Sequence, residues 1–352
     1  MKKNLTRNIK MRILIIRLSS MGDVALTTPA ISGIKASYPD VEIVMLTRPA
    51  FRAFFAEEDK LKLFLPDLNG RHKGFIGIIR IFIDLRKTGK FDCVIDLHNV
   101  IRSRILGALF WFTGTTVAVV NKGRTEKRRL IKGLEKTPLK HSVERHLETF
   151  KRAGFPVNIT DSPWIRLPEN AFEEISKLFE GEQELNIGVA PFARHPLKIW
   201  PEKYMEKLLE LISKGRNVKF WFFGGKENEA KLETLAAKFE KTYCFAGKYA
   251  LDVELAAISK LDFMIAMDSA NMHLATLVST KVISIWGATD PMTGFGAWGL
   301  PESYSIRIST EELTCRPCTI FGKGSCRRGD FACMEMLTPE IAYDRIIKLG
   351  VL

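Results

Sequence analysis

Short apolar runs alternate along this chain with longer amphipathic ones, and that alternation predicts its elements. In the first half the short runs read as strands at 12–18, 42–47, 62–65, 93–97 and 116–120, with helices between them, for instance at 24–37 and 102–112. The stretch 73–87, "KGFIGIIRIFIDLRK", is apolar almost all round with charged ends. That pattern predicts a helix buried between two layers, the alternative being partial exposure at a membrane surface. Around 161–184 the pattern loosens into "DSPWIRLPEN", a short charged helix and "GEQE", which reads as an interdomain link. The alternation restarts with strands at 186–190, 218–223, 242–245, 262–267 and 281–286, and a last helix at 339–349 follows a cysteine-rich loop. Strand and helix in regular succession are the mark of α/β architecture with parallel sheets. The expectation is two consecutive Rossmann-like domains facing a central cleft. Its parts are a basic tail (1–10), an N-terminal domain (11–168), a C-terminal domain (169–337, including the cysteine-rich loop 314–334) and a C-terminal helix (338–352).

Composition fits this picture: 352 residues, 46% hydrophobic and 26% charged, suffice for two domains whose cores need no disulfide or metal staple. Charge adds something new. The net +13 suggests an acidic partner, whether nucleic acid, anionic membrane or phosphorylated substrate. Residues 121–140 hold eight Lys or Arg against two Glu and read as a solvated loop or a binding segment, Arg124, Lys127, Arg128 and Arg129 being its densest part. The segment has no aromatic residue, so it lacks the stacking platform of a nucleic-acid surface. The basic start resembles no secretory signal, and the longest uncharged run, 105–121, is too short to span a bilayer. It reads as a helix end, a turn and a buried strand. The chain is expected to be cytoplasmic and to touch a membrane without crossing it.

Candidate chemistry sits where strands end, because ligands of open parallel sheets bind outside the carboxyl ends of the strands. "RLSSMGDVALTTPA" follows the first strand and carries one carboxylate, Asp23. Asp23 reads either as the cap of a helix starting at Val24 or as a general base in a water-poor cleft. G-x-G-x-x-G is absent there, which argues against a nicotinamide or flavin enzyme. In "AMDSANMHLATL", Asp268 and Ser269 end a strand, and Met272 and His273 lie in the helix that follows, whose start offers N–H groups to a diphosphate. The next loop, "WGATDP", contributes Thr289. "APFARHPLKIWP" offers Arg194, His195 and Lys198, cations able to neutralise a departing phosphate. "FFGGKENE" is a strand–Gly-Gly–helix turn in which Gly224 and Gly225 admit a nucleotide and Glu227 or Glu229 holds ribose hydroxyls. Cys315, Cys318, Cys326 and Cys333 form C-x2-C-x7-C-x6-C. They read either as a structural tetrahedral zinc site or as reduced thiols tying down a loop; neither reading gives a catalytic metal.

Together these segments resemble the family-9 glycosyltransferases, typified by the ADP-heptose:lipopolysaccharide heptosyltransferases. The resemblance rests on "RILIIRLSSMGDVALTTPAI", "LKIWPEKY", "MDSANMHLATLVSTKVISIWGATDP" and the C-terminal cysteine pattern. It implies a GT-B fold with acceptor bound by the N-terminal half and nucleotide-sugar by the C-terminal half. It also implies inverting transfer with no cofactor required for catalysis. On the matching positions it implies that Asp23 is the base, that Lys198 binds the nucleotide phosphates, and that Asp268 and His273 belong to the donor site. Ala270 stands where the family usually has Gly. The implied partners are ADP-heptose or another nucleotide-sugar, a phosphorylated lipid A–core acceptor, and the anionic inner face of the cytoplasmic membrane, to which the enzyme would be peripheral. Nucleic acid is not among them. The rival readings are a GT-B enzyme of another nucleotide-sugar, a sugar-nucleotide epimerase or hydrolase, and a nucleic-acid-binding protein.

Overall fold

The computed structural model describes residues 11–58, 60–180 and 184–352. The basic tail and Gly181, Glu182 and Gln183 of the expected link lie outside these residues.

The chain forms two compact units. The first runs through Lys122 and resumes over Val143–Asp161; the second holds Gly123–Ser142 and Ser162–Leu352. The division thus falls earlier than the expected 168/169, and the basic segment groups with the second unit. Its attachments explain why. Leu139 N–H donates to Met292 O, Ser142 N–H donates to Gly294 O, and Lys127 Nζ lies 4.0 Å from the centre of the Phe295 ring.

In the first unit β1 (Arg12–Ile16), β2 (Glu42–Leu46), β3 (Leu61–Phe64), β4 (Cys93–Asp96) and β5 (Thr116–Val119) form one parallel sheet in the order β3-β2-β1-β4-β5. The central strand presents Ile13, Leu14, Ile15 and Ile16 with no exposed surface, because helices cover both faces of a parallel sheet. Its helices are α1 (Met21–Ala25), α2 (Thr28–Ser37), α3 (Gly74–Lys87) and α4 (Ile101–Phe112). α5 (Arg124–Ile131) belongs to the second unit, so the basic segment is partly a helix rather than a solvated loop; Leu130 is its buried anchor. α6 (Ser142–Arg152) returns to the first unit.

Two helix expectations change. The helix expected over 24–37 is two, because Pro29 has no N–H to offer Ala25 O, which accepts the Thr28 hydroxyl instead. α3 is not buried between layers: Gly77, Ile78, Ile81 and Leu85 face inward, whereas Phe75, Ile76, Ile79 and Ile83 are exposed.

The second unit contains α7 (Glu169–Ile175), β6 (Leu185–Ala190), α8 (Glu202–Ser213), β7 (Val218–Phe222), α9 (Glu229–Ala236), β8 (Thr242–Cys244), α10 (Leu251–Ser259), β9 (Phe263–Met267), α11 (Ala270–Leu277), β10 (Lys281–Ile285) and β11 (Ser305–Ile306). α12 (Ala332–Glu335) and α13 (Pro339–Lys348) follow, and α13 packs on α8. Its sheet is also all parallel, in the order β11-β10-β9-β6-β7-β8. β11, of two residues, is too short to leave a periodic signal in the sequence.

Both sheets have the doubly wound order. The chain starts at a central strand, builds outward to one side, then returns to build the other. The crevice for a ligand opens where that order reverses. In the first unit this is between the ends of β1 and β4, and in the second between the ends of β6 and β9.

Candidate functional site

At the end of β1 the chain turns through Arg17–Ser20 into α1. Asp23 is not the cap of a helix starting at Val24. The helix starts three residues earlier, at Met21, Ser20 is its capping residue, and Asp23 reaches back from the third helical position. Asp23 Oδ2 accepts from the Ser20 N–H at 3.3 Å and from the Ser20 hydroxyl at 2.6 Å. Asp23 Oδ1 pairs with Arg17 Nη2 at 2.9 Å. Arg17 is itself buried, and its Nη1 donates to Leu97 O at 2.5 Å, which fixes the guanidinium between the two strand ends.

The segment after β4 completes this side. Asp96 is fully buried, and Oδ1 accepts the backbone N–H groups of His98 and Asn99 while Oδ2 accepts the Ser103 hydroxyl. Burial pushes the Asp96 carboxyl above its usual range in spite of these donors. The turn they hold puts His98 Nε2 3.2 Å from Ser19 Oγ, across the switch point. Burial, and then the charge of Arg17 and Lys122, push the His98 imidazolium down to about 3, so the ring is neutral. His146, from α6, packs beneath with Nδ1 3.1 Å from Leu26 O, and burial pushes it down to about 3 as well. The first unit therefore gathers the Asp23 carboxylate, the Arg17 guanidinium and the neutral imidazoles of His98 and His146 about the switch point, with the buried Asp96 carboxyl holding the turn that carries His98.

The second unit also has an ion pair at its switch point. Lys198 lies in a short 3-10 turn after β6, and Asp268 follows β9. Lys198 Nζ and Asp268 Oδ2 are 2.8 Å apart, and the same oxygen accepts the Thr289 hydroxyl at 2.7 Å. Ser269 caps α11, and its Oγ is buried with no hydrogen-bond partner among the described residues. His195 sits in the same loop as Lys198; burial, and then the cations Lys198, Lys323 and Arg194, push its imidazolium below the ordinary value. Three positive charges, opposed by the Asp268 carboxylate, thus bear on this ring; Asp268 in turn precedes Ser269 and the α11 N-terminus, where the helix dipole also favours an anion.

The other expected residues are distributed unevenly. His273 is buried in α11. Met272, on the same helix, has no exposed surface and packs into the interior, so it serves the core rather than a ligand. Gly224 and Gly225 form the turn after β7; a Cβ at Gly225 would stand 2.3 Å from Glu227 Oε1, so the Glu227 carboxylate folds over that backbone. The cysteines line one small cavity with Arg316, Arg327 and Phe331. Burial pushes the Cys326 thiol up, but N–H groups of Phe331, Arg328 and Gly329 outweigh it and the net shift is down. Cys333 is pushed up to about 11, mainly by burial. Among the described residues no three His, Cys, Asp or Glu side chains converge as a metal cage.

The sequence reading passed over His98, Lys323 and Arg316. His98 was legible in principle as the residue after the second strand at the switch point. Arg316 carried no such signal. It is buried between Cys315 and Pro317 and donates to the carbonyls of Gly287, Ile308 and Thr289. Its Nη2 is 3.4 Å from Asp290 Oδ2, which Arg307 Nε approaches to 3.0 Å. The cysteine-rich loop therefore holds the Trp286–Pro291 loop in place. It also touches Lys198: a Cβ at Gly322, where φ is +73°, would stand 2.6 Å from Lys198 Cγ.

Residues 78–320 match the sequence profile of glycosyltransferase family 9 (heptosyltransferase). The chain is 22% identical over 344 residues to a lipooligosaccharide heptosyltransferase 2 of Campylobacter jejuni, covering 97% of this chain and 99% of that protein. A family-9 glycosyl transferase from Veillonella parvula superposes with a TM-score of 0.76 at 19% identity, over 97% of each chain. The Escherichia coli heptosyltransferase WaaC, solved with ADP, gives a TM-score of 0.62 at 19% identity, over 82% of this chain and 91% of that one. The fold is GT-B.

Proposed function

This chain belongs to glycosyltransferase family 9, and on that footing we propose that it moves a heptose, or a related sugar, from an ADP-sugar to a lipopolysaccharide-core acceptor with inversion at the anomeric carbon. The donor's diphosphate would lie over the N-terminus of α11, against Lys198, Ser269 and His273. Gly224, Gly225 and Glu227 would meet the nucleoside, and Asp268 and Thr289 would hold Lys198 in place. Negative charge grows on the diphosphate as its bond to the sugar breaks. Lys198, Arg194 and Lys323 supply the compensating charge without a catalytic metal. What supports this reading above all is that Lys198, held 2.8 Å from Asp268 at the end of β9, stands next to Ser269, the cap of α11, whose buried Oγ has no hydrogen-bond partner among the described residues.

Asp23 is the base in this scheme. The Ser20 hydroxyl donates to Asp23 Oδ2 at 2.6 Å, the approach an acceptor hydroxyl would take in its place. The proton passes to that oxygen as the acceptor oxygen attacks the anomeric carbon from the face opposite the diphosphate. Arg17 keeps the carboxylate oriented. Arg124, Lys127, Arg128 and Arg129 would meet the phosphates of a lipid A–core acceptor or of the inner leaflet, making the protein peripheral to the cytoplasmic face of the membrane. Cys315, Cys318, Cys326 and Cys333 line one small cavity without converging as a cage, so a structural zinc would have to draw the four thiols together.

Asp23→Asn tests the base. The amide still accepts the Ser20 N–H but takes no proton, so turnover should fall by roughly 10²–10⁴ with ADP affinity unchanged. Near wild-type turnover would remove Asp23 from the role. Thermal-shift comparison of ADP, UDP, GDP and CMP tests the donor, a selective response to a nucleotide other than ADP counting against a heptose donor.

A further inference from the structure

α3 and α4 of the first unit lie side by side, Phe82 against Phe110 at 4.9 Å between ring centres. Their inward faces are core, yet their outward faces are not polar. Phe75 and Ile76 are each 64% exposed, Ile101 80%, Trp111 63% and Phe112 77%, and Ile83 joins them between. Isolated exposed apolar residues need no explanation, but large ones gathered on two adjacent helices do. The polar residues among them are cations: Lys73, Arg80, Arg86, Lys87 and Arg104 are all exposed. α4 has no acidic residue, and the single one on α3, Asp84, is held by Arg71 Nε and Nη2, each at 2.9 Å, and by His72 at 3.2 Å.

We propose that the paired outer faces of α3 and α4 are the surface by which this protein lies on an anionic lipid bilayer. Apolar and aromatic side chains would enter the headgroup boundary, and the surrounding Lys and Arg would meet lipid phosphates. Trp111 and Phe112, at the end of α4, are the residue types that sit well at such a boundary, having a large apolar body. A second copy is the poorer occupant. A symmetric contact through this face would set its cations against one another with no carboxylate to pair them. The inference rests on the membrane association proposed above but moves its main contact from the 124–129 segment to a different helix pair.

The test is flotation of the full chain with vesicles of phosphatidylglycerol mixed with phosphatidylcholine, against phosphatidylcholine alone, at low and high salt. Two variants are compared with wild type: Phe75→Ser, Ile76→Ser, Trp111→Ser, Phe112→Ser combined, and Arg124→Gln, Arg128→Gln, Arg129→Gln combined. Wild type should float with the anionic vesicles, less so in high salt. The first variant should bind roughly tenfold more weakly or worse, while keeping its melting temperature and its thermal response to ADP. The second should bind within a few-fold of wild type. If the first variant floats like wild type and the second does not, the α3–α4 face is wrong and the membrane reading survives. If wild type does not float, both fall. If wild type is dimeric in solution and the first variant monomeric, the face joins copies of the chain and the proposal is overturned.

Discussion

Lys198 Nζ stands 2.8 Å from Asp268 Oδ2, and the two residues follow β6 and β9, the strands flanking the switch point of the second sheet. Asp268 is 5% exposed and Lys198 15%, so the pair is largely out of water. Each charge is then tolerable because of the other, and removal of one leaves the other costly to bury.

Lys198→Met should therefore do two separable things. The fold should lose on the order of 3 kcal/mol, since Asp268 keeps only the Thr289 hydroxyl as a described partner. ADP binding should weaken about ten- to a hundredfold through loss of a charge-assisted contact. Adding Asp268→Asn should restore much of the stability and none of the ADP affinity. Calorimetric titration and urea melts separate the two effects, and recovery of both in the double variant would show that Lys198 never touches the diphosphate.

Arg316 makes a prediction about position rather than chemistry. It donates to three carbonyls of the Gly287–Ile308 region and lies beside Asp290, so Arg316→Met should destabilise the fold by on the order of 3 kcal/mol. At a temperature where the variant is still folded, its KM for the nucleotide-sugar should rise more than its kcat falls. Arg316→Lys can reach one carbonyl but not three, so it should recover little. Equal loss in both variants of kcat alone would contradict a role in shaping the donor loop.

The cysteine cavity predicts a metal content. Protein purified under reducing conditions should carry about one zinc per chain by mass spectrometry, and Cys326→Ser should lose it. Chelation should also weaken ADP binding, because Cys318 N–H donates to Ala288 O and Gly322 rests against the Lys198 stem. Metal-free wild type with full nucleotide affinity would leave the four thiols as loop packing.

His98 and His146 make stability depend on pH. Both are pushed down to about 3 in the fold, against roughly 6.5 in an unfolded chain. Between those values the unfolded chain takes up protons that the native chain refuses. Stability is thus level above about pH 6.5 and falls as pH drops toward 3, by up to ~1.4 kcal/mol per pH unit for each ring. His98→Gln removes one of the two, so the loss between pH 7 and 5 should shrink by roughly 2 kcal/mol in urea melts. An unchanged slope would mean that His98 takes up its proton while the protein is still folded.

The strands were legible because parallel sheets bury both faces, so runs such as "RILII" and "FMIAM" are apolar without alternation. α3 misled for a related reason. Its sequence is apolar on nearly every side, and composition cannot tell a helix covered by protein from one left open at Phe75 and Ile76. In the site, Lys198 and Asp268 announced themselves through loops at strand ends, whereas the Ser19–His98 contact joins residues 79 apart and exists only once the strand order sets β1 beside β4. Arg316 lay hidden for the opposite reason: an arginine among cysteines reads as surface charge, and its burial follows from the carbonyls of a loop about thirty residues upstream.

The backbone passes between the two units three times, after Lys122, Ser142 and Asp161. No single scission can then yield two whole halves. A protein split at Asp161 would strand Gly123–Ser142 on the amino-terminal fragment and leave the carboxyl-terminal fragment without the partners of Met292 and Gly294. Fragments of this enzyme should reassemble when coexpressed more readily than either should survive alone.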